Sequence, residues 1–133
     1  MMPLERQVTS LELSKRFKEL GVKQESFFYW KVPESPTVIK SPSVAPGYLG
    51  LSMYDEYSAF TVAELLPWLN GEEVSRTVGA GRVRWKWFDP RGVARLFWDD
   101  NTDADALAGL VIYLVDQKIV TVEEINRRIG EQI

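Results

Sequence analysis

Three pairs of adjacent carboxylates, Asp55–Glu56, Glu72–Glu73 and Asp99–Asp100, are the side chains best suited by type to acid–base or metal chemistry. Two carboxylates in one site can divide acid and base roles, provided that they converge in a shared cleft. All three pairs fall where the chain is expected to turn, a setting that leaves them solvated. The third pair opens the run DDNTDAD, residues 99–105, in which Asp99, Asn101 and Asp103 match the first ligands of a calcium loop. Ala104 stands where that loop needs glycine, and Leu110 where it needs a bidentate glutamate. The run therefore reads as a strand-to-helix turn with Asp103 and Asp105 in the first helical turn, where the helix dipole favours anions.

The chain has no histidine and no cysteine. That removes the commonest metal ligand, the usual general base near neutral pH, thiol nucleophiles and zinc–thiolate sites. Gly79-Ala80-Gly81 lacks the spacing of a phosphate-cradling loop, and Gly50-Leu51-Ser52-Met53-Tyr54 breaks the nucleophile-elbow pattern at its last position. No catalytic residue, metal site or cofactor is assigned, and the balance leans away from an enzyme.

What remains is the stretch RVRWKWFDPRGVARLFWDD, residues 82–100. It reads as a hairpin around Asp89-Pro90-Arg91-Gly92, which has the chemistry of a type I turn. With Phe88 facing Val93, one side collects Val83, Trp85, Trp87, Ala94, Leu96 and Trp98. The other collects Arg82, Arg84, Lys86, Phe88, Val93, Arg95, Phe97 and Asp99. A three-residue loop with a glycine bulge would shift the pairing by one residue and mix Arg95 into the tryptophan face. The first register is preferred because it keeps the faces separate. It turns the tryptophans inward and leaves Arg82, Arg84, Lys86, Arg91 and Arg95 as a candidate surface for phosphate or an acidic partner.

Elements must hold that hairpin. Leu13, Phe17 and Leu20 make a helix over residues 11–20, with Ser10 as N-cap, Gly21 as stop and Glu12–Arg16 paired across a turn. SFFYWKV, residues 26–32, is a strand apolar enough for burial on both faces. Residues 33–50 form an irregular Pro-rich segment that either hides a short strand at Thr37–Ile39 or is a mobile flap. FTVAEL and VTVEEI share a capping box with a hydrophobic staple: Thr61 with Glu64 and Phe60 with Leu65, then Thr121 with Glu124 and Val120 with Ile125. Residues 70–81 offer no recognition helix, so a helix-turn-helix beginning at Thr61 fails. Leu107, Leu110, Val111, Leu114 and Val115 stripe a central helix over 103–117, and 122–131 closes the chain with Glu123–Arg127 and Glu124–Arg128 pairs. The expected fold is α+β: a small antiparallel sheet that includes the 82–99 hairpin, packed against the central helix, with three further helices.

At 133 residues, 45% hydrophobic and 26% charged, the chain suits one domain over 1–133 that buries its own core. A net charge of −3 gives no global attraction to nucleic acid or an anionic membrane. The longest apolar run, Ala106–Val115, is about half the ~20 residues of a membrane span. A cytoplasmic protein with no membrane partner is expected.

YSAFTVAELLPWL (57–69) and NTDADALAGLVIYLVDQKIV (101–120) resemble segments of short proteins of prophages and other bacterial mobile elements. The resemblance covers about residues 57–120 and implies a bacterial or phage cytoplasmic origin. It brings no activity, cofactor or catalytic residue with it. The expected function is that of a non-catalytic accessory or interaction domain. Its partner is expected to be a protein, met through residues 33–57 or the apolar patch Tyr48, Leu49, Met53, Tyr54 and Tyr57. The alternative is nucleic-acid binding on the basic face of the hairpin. The oligomeric state is left open.

Overall fold

Leu11–Leu20 forms the first helix, α1, as its apolar spacing predicts. The Ser10 hydroxyl accepts from the Leu13 amide at its start, and Gly21, at φ 94°, takes the left-handed conformation that ends it. Instead of Glu12, Arg16 reaches Glu19 at 3.8 Å and Asp116 at 3.9 Å, because the end of the third helix lies within reach. The computed structural model describes residues 3–32, 37–40 and 55–131.

Two three-stranded antiparallel sheets share the strands. In the first, β1 (Phe28–Val32) lies between β2 (Thr37–Lys40) and β3 (Asp55–Ala59). Tyr29 and Trp30 are buried, as expected, whereas Phe27 precedes the strand at a bend and is 64% exposed. The Pro-rich segment does hold a strand at Thr37–Lys40. Asp55–Glu56 begins β3 and is not a turn.

The second sheet has the order β4-β5-β6, with β4 at Glu73–Gly79, β5 at Arg82–Phe88 and β6 at Ala94–Asp100. Strand β4 is an addition to the sequence reading, which finds no recognition helix in residues 70–81 and assigns them no element. Only Val74 and Val78 mark its inner face, and Arg76 stands between them, so the alternation is too weak to see. Ala80 and Gly81 close the β4–β5 hairpin with φ of 53° and 75°. Two consecutive positive φ values are those of a type I′ turn, whose twist matches the strands it joins.

The β5–β6 register differs from the expected one in an instructive way. Gly92 donates to the Asp89 carbonyl at 2.8 Å, closing the predicted turn, but Gly92 itself sits at φ 81° as a bulge. The bulge moves the pairing by one residue, so Phe88 faces Ala94 instead of Val93. A second irregularity between Trp87 and Phe88 moves it again, so Trp85 faces Trp98 and Trp87 faces Leu96. Two single shifts restore the parity of Leu96 and Trp98 with Trp87 and Trp85, while Ala94 now faces Phe88 and Asp100 faces Val83. The structure thus contains the bulge and still keeps Arg95 off that face.

That face is covered by α3 (Asp103–Asp116), whose Leu107, Leu110, Val111 and Leu114 are fully buried. Trp85 and Trp87 are 6% and 8% exposed. Trp98 also points toward α3 but remains 40% exposed, because β6 is the edge strand and the helix covers only part of it. Its indole lies so close to Gly109 that a Cβ there would meet the ring at 2.2 Å. The helix ends with Lys118 at φ 61°, where glycine is usual; its N–H donates to the Val115 carbonyl and that of Ile119 to Leu114.

Elsewhere in the core, Phe17, Phe60 and Trp68 form a triangle of edge-on rings with centroids 4.7 to 5.8 Å apart. Trp68 comes from a short 3-10 turn, Leu66–Leu69, that continues α2 (Val62–Leu65). At α2 the full capping box forms: Thr61 Oγ1 accepts from the Glu64 amide, and Glu64 accepts from the Thr61 amide. At α4 (Val122–Glu131) only the Thr121 half appears, because Glu124 is held by Arg127 and Arg128. The expected Glu124–Arg128 pair is present at 3.1 Å; Arg127 bonds Glu124 and Glu131, not Glu123.

Candidate interaction surface

The alternation of strands β4, β5 and β6 decides which side chains reach the sheet face turned away from α3. Ser75 faces Lys86 across the β4–β5 pair and Thr77 faces Arg84; Lys86 in turn faces Phe97, and Arg84 faces Asp99. Because residues paired across antiparallel strands share a side, these groups form one outer surface. The inner rows are equally clear: Val74, Trp87 and Leu96 form one, and Arg76, Trp85 and Trp98 the next. Arg76, at the end of its row, turns to the start of α3 and forms a two-point pair with Asp103.

Trp85 and Trp87 are therefore unavailable for base stacking from outside, since both are buried and the Trp87 indole N–H donates to Glu72 Oε2 at 3.0 Å. The expectation that they face the helices holds. The five cations named from the sequence are placed less uniformly. Arg84 forms a bidentate pair with Asp99, Nε to Oδ1 at 2.6 Å and Nη2 to Oδ2 at 2.9 Å. Arg95 donates to Asp89 Oδ2 at 2.8 Å. Arg82 reaches only the Asn101 side-chain oxygen and the Asp99 carbonyl, both at 3.5 Å. Lys86 and Arg91 have no ion pair among the described residues. Arg91 lies on the exposed turn, while Lys86 lies in the middle strand.

These pairs set the local electrostatics. Arg84 holds the Asp99 carboxyl below its usual range, and Arg95, with the Val93 and Arg91 amides, does the same for Asp89. Both carboxylates stay ionised through the neutral range and cancel part of the positive charge. The Arg84 guanidinium carbon also lies 4.2 Å from the Phe97 ring centroid, and Phe97 is 52% exposed. An arginine fixed at one end by Asp99 and lying over an aromatic ring is largely immobilised, so binding through it costs little side-chain entropy. Phe97 was seen as an exposed neighbour of the cations in the sequence. Its role as their platform depends on the cross-strand pairing, which the alternation of residues 94–100 alone hints at.

The second candidate patch is mostly outside the described residues: Tyr48, Leu49, Met53 and Tyr54 fall there. Tyr57 lies on β3, half-buried, with Lys18 and Lys15 ammonium groups 4.9 and 5.6 Å from its ring centroid. Among the described residues no three His, Cys, Asp or Glu side chains are grouped to hold a metal. No helix among them is long and apolar enough to cross a membrane.

The sequence places Glu64 and Asp105 at helix starts but gives no sign that the first is buried and the second half-buried. Glu64 Oε2 accepts from the Phe27 amide at 3.0 Å, and Asp105 Oδ1 from the Ser10 amide at 2.7 Å. Burial pushes both above their ordinary values, against the lowering effect of those hydrogen bonds. They tie the N-terminal segment and the lead into β1 to the starts of α2 and α3, which is structural work. Thr9 adds to this join: its amide donates to Phe60 and its carbonyl accepts the Trp30 indole N–H at 2.7 Å. No protein-family model, no curated protein and no solved structure matches the chain.

Proposed function

We propose that this protein is a non-catalytic interaction domain that binds an acidic segment of a protein partner on the outer face of the β4-β5-β6 sheet. The observation that carries the reading is Phe97, half in water, with Arg84 stacked on its ring and Lys86 facing it across the strands. Fixed arginine beside an exposed aromatic is the composition of protein-binding hot spots. Lys86 and Arg82 supply positive charge that has no carboxylate within ion-pair distance among the described residues, so the complement is negative. A nucleic-acid track is less well supported. Phosphate binding gains from many unpaired cations along one path, and here Arg84 and Arg95 are already engaged by Asp99 and Asp89. The likeness of residues 57–120 to mobile-element proteins is compatible with an accessory role, since it brings no reaction with it.

The test titrates the full chain with a labelled peptide rich in glutamate that carries one aromatic residue. A short single strand and a short duplex of DNA are titrated in parallel at ~50 mM salt. The reading expects peptide binding that weakens in both Lys86→Glu and Phe97→Ala, with amide shifts confined to β5 and β6. Absence of peptide binding, or binding unchanged by both variants, refutes it. DNA binding that weakens stepwise as Arg84, Lys86 and Arg95 are replaced would put a nucleic acid in the partner's place.

A further inference from the structure

Among the described residues both outer strands of the second sheet are edges, and they are treated differently. An edge strand offers unpaired backbone N–H and C=O groups, which proteins usually protect with bulges, charges or proline. At β6 the pairing is broken by the bulge at Phe88 and Ala94, and Arg95, Asp99 and Asp100 add charge. β4 has neither bulge nor proline among its seven residues, and its charges are Glu73 at the end and Arg76 at the centre. Its register with β5 runs unbroken from Glu73 to Gly79, it contains no proline, and Val74, Thr77 and Val78 are β-branched. Its one central charge, Arg76, is drawn toward α3 by Asp103. Val78 is 60% exposed, an unusual position for a valine whose side chain points to the inner face.

We infer that β4 pairs, antiparallel, with β4 of a second copy of this chain, joining two three-stranded sheets into one of six strands. The strand is complementary to itself about Arg76. A two-fold axis there sets Val74 against Val78 of the copy and Ser75 against Thr77, so apolar meets apolar on the helix side and hydroxyl meets hydroxyl on the other. At the axis each Arg76 brings its own Asp103 carboxylate, so the two arginines are not left as bare like charges. The dimer doubles the outer sheet surface, yet it does not depend on that surface having the partner proposed above.

The chain has no cysteine, which makes the pairing directly testable. A Val74→Cys, Val78→Cys double variant places a thiol opposite a thiol twice across the axis, with Cβ atoms about 5 Å apart. Mild oxidation is expected to give a covalent dimer, whereas a Phe97→Cys variant in the other face is not. Sedimentation of the wild-type full chain should show a monomer–dimer equilibrium, shifted to at least about tenfold higher concentration by Val78→Lys. Val78 is exposed in the single chain, so that variant should fold as the wild type does, which circular dichroism checks. Phe97→Ala should leave the dimer unchanged. A wild type that stays monomeric at every concentration, or a dimer indifferent to Val78→Lys, overturns the inference.

Discussion

Replacing Gly109 with alanine should invert the usual effect of that substitution. In a helix interior, Gly→Ala ordinarily stabilises by about 0.5–1 kcal/mol, through the lower backbone entropy of the unfolded chain. Here the added methyl would sit 2.2 Å from Cδ1 and Nε1 of Trp98 and 2.6 Å from Cε2, inside any possible contact distance. The helix is held by fully buried Leu107, Leu110 and Leu114, whereas Trp98 is on an edge strand and 40% exposed, so the indole is the group that leaves. A tryptophan buries roughly 150–250 Å² when fully covered. Losing the covered three-fifths of that area at ~25 cal/mol/Å² costs about 2–4 kcal/mol. The edge-on contact with Tyr113, centroids 6.2 Å apart, is lost as well. After the helix gain is subtracted, Gly109→Ala should destabilise by about 1–3 kcal/mol. Urea unfolding measures this, and tryptophan fluorescence should show a more solvated indole. In a Trp98→Ala background the clash is absent, so the same substitution should stabilise by about 0.5–1 kcal/mol. If Gly109→Ala stabilises both backgrounds alike, the close seating of Trp98 on α3 is wrong.

Three further predictions concern stability. Lys118 and Ala80 hold positive φ without being glycine, so Lys118→Gly and Ala80→Asn should each raise the unfolding free energy by about 0.5–1 kcal/mol, read from denaturant melts. Thr61→Ala removes the N-cap acceptor of α2 and leaves the Glu64 amide without it, which should cost about 1 kcal/mol, measured the same way. The third follows from Asp105, whose folded value is raised chiefly by burial, so the native state holds its proton to higher pH than the unfolded chain does. Its contribution is then present at low pH and declines as pH rises through the raised value. Asp105→Asn keeps an oxygen for the Ser10 amide but has no proton to lose. Its stability relative to wild type should improve as pH rises through the ordinary carboxylate range and above it, and a difference that is flat or worsens with pH would contradict the sign.

The most legible parts of the fold were those fixed by a few neighbouring residues. Ser10, Thr61 and Thr102 cap helices because their oxygens serve amides three residues on, and the stripe from Leu107 to Leu114 needs only helical spacing to find its buried face. The turn at Asp89–Gly92 and the inward side of Trp85 and Trp87 are local in the same sense. Harder were β3 and β4, whose residues DEYSA and EVSRTVG carry too few apolar side chains to signal a strand. They are strands because β1 and β5 present backbone partners to them.

For the candidate surface the division is similar. The residue types and the sidedness of Arg82, Arg84, Lys86 and Phe97 are set by alternation, which survives any even displacement of the strands. Which cations are neutralised was decided by pairing across strands: Arg84 meets Asp99, fifteen residues away, only after two single-residue shifts add up. Spacing along a chain determines which face a side chain takes; the register between strands, set by bulges and by what packs beneath, determines whom it meets there.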